Sequence, residues 1–114
     1  MQIDVKTLEP HLLVIEIVYA IENGYIKTWK TTANNGNVVL TKCTGFWKNY
    51  AFVRLIELDD RLLITFENTE RMLNDKVKGK YLSEITEILL VHFNEYFITM
   101  ETKYLNHKKL VMRN

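Results

Sequence analysis

The sequence has one cysteine, one proline and four glycines in 114 residues. The lone cysteine, Cys43, allows no disulfide within the chain and no cysteine-based metal site. It also suits a reducing compartment, so we expect a cytoplasmic protein. Since proline and glycine are scarce, no linker or low-complexity tail is visible, and residues 1–114 are expected to form a single domain.

Long apolar runs are also absent. The longest, residues 12–21 (LLVIEIVYAI), is interrupted by Glu16 and falls short of the ~20 apolar residues that a membrane span needs. The chain opens MQIDVKTLE, without the basic start of a signal peptide. We therefore expect no membrane association and no secretion.

Catalytic motifs are missing as well. The chain contains no GxGxxG, GxxxxGK[ST], HExxH or GxSxG. Its histidines, His11, His92 and His107, fall in three separate segments without a carboxylate at metal-pair spacing. Cys43 has no nearby histidine to activate it. The sequence thus predicts a protein that is not an enzyme and that uses no cofactor and no metal.

What the sequence does contain is a basic, aromatic segment. Residues 23–56 include no acidic residue, and six of the thirteen aromatic residues fall there. Two explanations stay open. The segment forms a surface that contacts a partner, or its charges pair with acidic strands across a sheet.

The first half of the chain indicates strands joined by tight turns. Asn23-Gly24 and Asn35-Gly36 are typical of hairpin turns, and the second places Trp29 opposite Lys42. Residues 12–22 alternate and are rich in β-branched side chains, which favours a strand, and a helix from Pro10 to Gly24 is the alternative.

A third hairpin is predicted around Asp59-Asp60, with Leu55 opposite Ile64 and Val53 opposite Phe66. Residues 50–58 are apolar on both faces, which predicts a central strand covered on both sides.

Helical periodicity follows in the second half. Asn68 or Thr69 is predicted to cap a short helix that Gly79 breaks. A second helix is predicted from Ser83, and residues 98–102 favour a strand. The apolar stripe of the second helix is Leu82, Ile85, Leu89, Phe93, Tyr96 and Met100. The resulting fold class is α+β: an antiparallel β-meander of about four to six strands, followed by one or two C-terminal helices packed on the sheet.

The function favoured by these features is docking on a protein partner, as an inhibitor, immunity or anti-defence type of protein does. The expected partner-binding residues are Phe46, Trp47, Lys48, Tyr50, Trp29, Lys27, Lys30, Lys42 and Arg54. The loop CTGFWKNY would supply the anchors, Phe46 and Trp47, unless both rings fold back over the end of the sheet.

Two alternatives use the same segment. One is a nucleic-acid-binding regulator, although the pI of about 7.8 and the few arginines favour a protein partner over nucleic acid. The other is a homodimer with an unassigned small-molecule site, in which an edge strand from Gly36 to Cys43 pairs with its copy.

Overall fold

A six-stranded antiparallel sheet with two helices makes up the protein in a computed structural model that describes residues 1–34, 37–67 and 73–103. The elements are β1 (Gln2–Lys6), α1 (Pro10–Glu22), β2 (Trp29–Asn34), β3 (Asn37–Lys42), β4 (Val53–Glu57), β5 (Arg61–Phe66), α2 (Asp75–His92) and β6 (Thr99–Lys103). The strand order is β2-β3-β4-β5-β1-β6, and every neighbouring pair is antiparallel. The α+β prediction is confirmed.

Both helices pack against one face of the sheet. The alternate residues of the central strands that face the helices are buried: Ile3, Val5, Val53, Leu55, Leu62 and Ile64. The helices contribute Leu13, Val14, Ile17, Val77, Tyr81, Leu82, Ile85 and Leu89 to the same core. Full burial of a large apolar side chain stabilises a fold by about 1.5–3 kcal/mol, so this shared core dominates the stability.

Residues 12–22 are helical, so the strand predicted for them is wrong. Pro10 occupies the first turn of α1, and Asn23 closes the helix, its backbone N–H donating to the carbonyl of Tyr19 at 3.0 Å. Gly24 follows with φ of +80°, a conformation that glycine adopts readily. The first Asn-Gly pair therefore ends a helix instead of turning a hairpin.

Packing against the sheet favours a helix over a strand at residues 12–22. Leu13, Val14 and Ile17 recur at helical spacing and are buried together against the sheet. A β-branched residue costs a helix at most ~0.7 kcal/mol relative to alanine, less than its burial contributes.

The strand pairings predicted for the other two hairpins are confirmed, while the predicted Asn35-Gly36 turn itself lies outside the described residues. Asn34 pairs with Asn37 and Trp29 with Lys42, while Leu55 pairs with Ile64. β3 also pairs with β4, so it is an inner strand, and the proposed edge strand from Gly36 to Cys43 is wrong. The sheet ends instead in β2 and β6.

β4 is central, as expected, but the described helices cover only one of its faces. Val53 and Leu55 are buried beneath them, whereas Arg54 and Ile56 on the other face are half-buried. The prediction of cover on both sides is therefore wrong for the described part of the chain. Residues 50–58 are apolar because β4 has a neighbouring strand on each edge and helices over one face.

A single helix, α2, replaces the two predicted around Gly79. The side-chain oxygen of Asn74 accepts a hydrogen bond from the backbone N–H of Val77 at 2.9 Å, so Asn74 caps the helix. Gly79 lies inside α2 and does not break it. The caps predicted at Asn68 or Thr69 lie outside the described residues. The apolar stripe joins the core, although α2 ends at His92 and Met100 belongs to β6.

Candidate functional site

Residues 43–52, the β3–β4 loop, contain the anchors predicted from the sequence. The loop adopts a defined conformation with two residues in the left-handed region, Gly45 at φ of +85° and Asn49 at φ of +55°. Asparagine is one of the few non-glycine residues that tolerates this region. The backbone N–H of Asn49 donates to the carbonyl of Lys42 at 2.9 Å, which closes the loop at its base.

The loop is fastened to the core by the side chain of Tyr81. The Tyr81 hydroxyl accepts hydrogen bonds from the backbone N–H groups of Tyr50 at 3.1 Å and of Ala51 at 3.2 Å. It donates to the backbone carbonyl of Trp47 at 2.6 Å. Tyr81 itself is fully buried on α2. Helix α2 therefore fixes both the middle and the end of the loop.

Three aromatic rings are packed edge to face along the loop. The ring centroids of Phe46 and Trp47 lie 4.7 Å apart, and those of Trp47 and Tyr50 lie 4.8 Å apart. Trp47 and Tyr50 are half-buried and pack against the core, whereas Phe46 is 87% exposed. Trp47 thus supports Phe46 from below, and only Phe46 projects fully into solvent.

Exposed lysines lie on and beside the loop. Lys48 belongs to it, and Lys27 lies next to its first residue, because the thiol of Cys43 donates to the carbonyl of Lys27 at 3.2 Å. Lys30 is exposed on β2. Among the residues that the structure describes, none of these three lysines pairs with a carboxylate. Their charges are therefore available to an acidic surface.

Two residues predicted to bind a partner belong to the core. Trp29 is 3% exposed and packs edge to face on Tyr81 at 5.3 Å between ring centroids. Lys42 is 5% exposed, forms an ion pair with Glu84 of α2, and lies 5.8 Å from the centre of the Trp29 ring. Both side chains lie on the helix-covered face of the sheet, out of reach of a partner.

A third, Arg54, lies on the opposite face of the sheet. Its Nε atom is 2.8 Å from Oε1 of Glu67, an ion pair whose N–H is not aligned as a hydrogen bond. The structure thus brings together Phe46, Trp47, Lys48, Tyr50 and Lys27. It places Lys30 nearby on β2 and separates the remaining three from this group.

The candidate catalytic side chains, the histidines and Cys43, do not lie close to one another in the described part of the chain. His11 lies 2.9 Å from Glu57, His92 is exposed at the end of α2, and His107 is outside the described residues. Cys43 is half-buried against the Lys27 carbonyl. Within residues 1–34, 37–67 and 73–103 no group of three or more histidine, cysteine or acidic residues is arranged to hold a metal ion.

Sequence reasoning missed Tyr81, because its hydroxyl reaches residues about thirty positions earlier in the chain. Nothing in the local pattern around Tyr81 signals this contact.

No family model matches the chain, and no curated protein or solved structure matches it significantly. Neither of the helices described is long and apolar enough to cross a membrane.

Proposed function

We propose that this chain is a small, non-enzymatic binding protein that docks on an acidic surface of a protein partner through the β3–β4 loop. The observation that carries the proposal is the position of Phe46, a large apolar side chain that is 87% exposed on a loop fastened to the core. An aromatic ring held in water by an ordered backbone supports a role as an anchor for a pocket in a partner.

The order of the loop supports tight docking. Binding costs free energy whenever a loop or side chain must be immobilised, about 0.5–1.5 kcal/mol for each flexible side chain. The Tyr81 hydrogen bonds and the packing of Phe46 on Trp47 fix this geometry before a partner arrives. Most of that cost is therefore absent at the moment of binding.

The lysines support an acidic partner. Lys48 lies in the loop and Lys27 lies beside its first residue, and in the described part of the chain neither pairs with a carboxylate. Charges at the rim of an interface mainly raise the association rate and select the partner, whereas the buried anchor sets the dissociation rate. Phe46 would thus provide affinity, and the lysines would provide steering.

An inhibitor, immunity or anti-defence protein is one concrete form of this activity. Such a protein acts by covering a functional surface of its partner, so it needs a rigid anchor and a compact body but no catalytic group. The cytoplasm is the compartment that the reduced Cys43 suits.

A nucleic-acid-binding regulator is the second candidate, supported by the same lysines beside an exposed aromatic ring. The arrangement of the rings supports the protein partner instead. Trp29 is buried, and the Trp47 ring packs against Phe46 and Tyr50, so Phe46 is the one ring of the β3–β4 loop that is exposed enough to stack on a base.

Affinity capture from a lysate of the source cells tests the proposal. The wild-type protein, the Phe46→Ala variant and the control Leu90→Ala would each be immobilised. Leu90 is another exposed apolar residue, but it lies on α2 outside the loop. We expect a protein that the wild type and Leu90→Ala retain and that Phe46→Ala loses.

Two other results would count against this proposal. Equal capture by all three variants would contradict the loop as the docking site. Binding of labelled DNA or RNA whose log K falls linearly with log salt, and which weakens with each lysine replaced, would move the nucleic-acid function to first place.

A further inference from the structure

A second surface, at the other end of β4, is a groove with acidic walls, whereas the β3–β4 loop projects into solvent and is basic. A groove of about 640 Å³ lies where α1 begins beside the turn between β4 and β5. Its walls include the exposed apolar side chains of Ile15 and Leu58 and the acidic residues Glu9, Glu57 and Asp59. We call it the acidic groove. Its volume lies within the range of about 300–1,000 Å³ that is usual for binding pockets.

Most of the acidic side chains of the groove have no ion-pair partner among the described residues. His11 lies 2.9 Å from Glu57 at the groove wall. The nearby Arg61 is engaged elsewhere. It pairs with Asp60 at 3.3 Å and with Asp4 at 2.8 Å, two carboxylates that raise the pKa of its guanidinium group. Within the described residues, Glu9 and Asp59 remain without an ion pair.

The loop and the groove are complementary in charge and in chemistry. The loop presents an exposed aromatic ring, Phe46, next to an exposed cation, Lys48. The groove offers apolar side chains at Ile15 and Leu58 beside unpaired carboxylates. An aromatic ring against the apolar walls with an ammonium group against a carboxylate is the arrangement expected of a specific interface.

The loop cannot enter the groove of its own chain. β4 runs from Val53, just after the loop, to Glu57 at the groove, so the strand separates the two surfaces. A strand rises about 3.3 Å per residue, which places them more than ~10 Å apart on a rigid sheet. The occupant that fits is the loop of a second copy.

We infer that the acidic groove of one copy receives Phe46 and Lys48 of another, so that the protein associates head to tail. This inference rests on the proposed docking role of the loop and names one partner for it. Because the two surfaces differ, the contact is heterologous and leaves a free loop at one end of a dimer and a free groove at the other. Self-association would then compete with any other partner for Phe46.

Sedimentation of single and mixed variants tests the inference. Phe46→Ala removes the anchor and leaves the groove intact, whereas Ile15→Lys places a cation in the groove and leaves the loop intact. The control Val91→Lys adds the same charge at a 65% exposed position on α2, outside both surfaces. Circular dichroism would verify that every variant is folded.

We expect wild type and Val91→Lys to associate at low salt, and either single variant to weaken association by at least about tenfold. An equimolar mixture of Phe46→Ala with Ile15→Lys should form dimers that grow no further, since only one loop and one groove are functional. A wild type that stays monomeric up to about 1 mM overturns the inference, as does a mixture that stays monomeric while the wild type associates.

The outcomes also separate this inference from the proposed function. A monomeric wild type that still captures a protein in a Phe46-dependent manner removes only the self-association. Self-association without any such capture removes only the separate partner.

Discussion

The hydroxyl group of Tyr81 lies 2.6 Å from the backbone carbonyl oxygen of Trp47 and joins the core to the β3–β4 loop. The hydroxyl oxygen of Tyr81 also accepts hydrogen bonds from the backbone N–H groups of Tyr50 and Ala51. One buried side chain thus contacts three backbone groups of the loop, of which the Tyr50 N–H and the Trp47 carbonyl also form a 3.2 Å hydrogen bond with each other. The position of Phe46 depends on this connection.

Replacing Tyr81 by phenylalanine should therefore destabilise the protein. The ring would stay in place, but the buried Ala51 N–H would lose its acceptor, and the Tyr50 N–H and Trp47 carbonyl would keep only their hydrogen bond to each other, at a cost of about 1–3 kcal/mol. Urea denaturation measures the change, with Tyr25→Phe, an exposed tyrosine, as the control. Partner capture should weaken as well, because the loop would lose part of its order. An unchanged unfolding free energy would show that water replaces the hydroxyl without loss.

A second prediction concerns the two lysines that pair with Glu84. Lys42 is buried beneath α2, whereas Lys80 is exposed on the helix surface at 3.3 Å from the same carboxylate. We expect Lys42→Met to cost about 1–3 kcal/mol, because a hydrogen bond to a charged group is lost and Glu84 keeps only its exposed partner. Lys80→Met should cost less than about 0.5 kcal/mol.

Thermal unfolding of both variants measures this difference, and partner capture adds a second test. Lys42 was expected from the sequence to bind a partner, but its burial assigns it to the core. Lys42→Met should therefore leave capture unchanged under conditions where the variant is folded. Loss of capture by a folded Lys42→Met would contradict the position of this side chain.

The hairpins could be predicted because their signals are local. The dipeptide Asn35-Gly36 predicts a tight turn from sequence, and such a turn determines which residues pair, including Trp29 with Lys42 as observed. The face of the sheet that the helices cover depends on contacts distant in sequence. The pairing of Trp29 with Lys42 was therefore predictable, but their burial was not.

The errors in the first half of the chain have a related cause. Residues 12–22 are apolar almost throughout. Their apolar residues therefore fit both the two-residue period of a strand and the 3.6-residue period of a helix. Only the position of α1 against β2 and β4 decides between them. β1 escaped prediction because QIDVK is five residues long and finds its partners, β5 and β6, far along the chain.

The candidate site was predictable in part. Gly45 before Phe46 and Trp47 marked a loop between two strands, and this loop exists. Charge alone grouped Lys42 and Arg54 with it, although one is buried and the other pairs with Glu67. The acidic groove joins residues from α1 to the turn after β4, a contact that no sequence pattern indicates.

Two glycines should respond to alanine in opposite directions. Gly79 lies inside α2, and an added Cβ would meet nothing within 4 Å. Gly79→Ala should stabilise the protein by about 0.5–1 kcal/mol, since alanine loses less conformational entropy in a helix. Gly45 has equal space, but its φ of +85° is unfavourable for a side chain. Gly45→Ala should destabilise by about 1–2 kcal/mol.

Differential scanning calorimetry of the two variants measures both effects. The pair forms its own control, because the chemical change and the free space are the same and only the backbone conformation differs. A Gly79→Ala variant with a lower Tm than the wild type would indicate that α2 is not continuous at this position.

The charge around the loop can be measured before any partner is identified. In a Trp29→Phe variant, Trp47 is the only tryptophan, and it is half-buried beside the exposed Lys48. We expect iodide, an anion, to quench its fluorescence more strongly than caesium, because the lysines concentrate anions around the ring. In a Trp47→Phe variant the remaining Trp29 is buried, so both ions should quench weakly.

Higher ionic strength and a lysine substitution test whether charge causes the difference in quenching between the two ions. Raising the ionic strength with an inert salt to about 1 M shortens the screening distance to ~3 Å and should reduce the difference between the two ions. Lys48→Gln in the Trp29→Phe background should also reduce it, whereas Lys76→Gln, an exposed change on α2, serves as the control. With each ion's quenching of Trp47 divided by its quenching of free N-acetyltryptophanamide, equal ratios for iodide and caesium at low salt would show that the loop carries no positive field. The lysines could not then steer an acidic partner, and Phe46 would act as an apolar anchor alone.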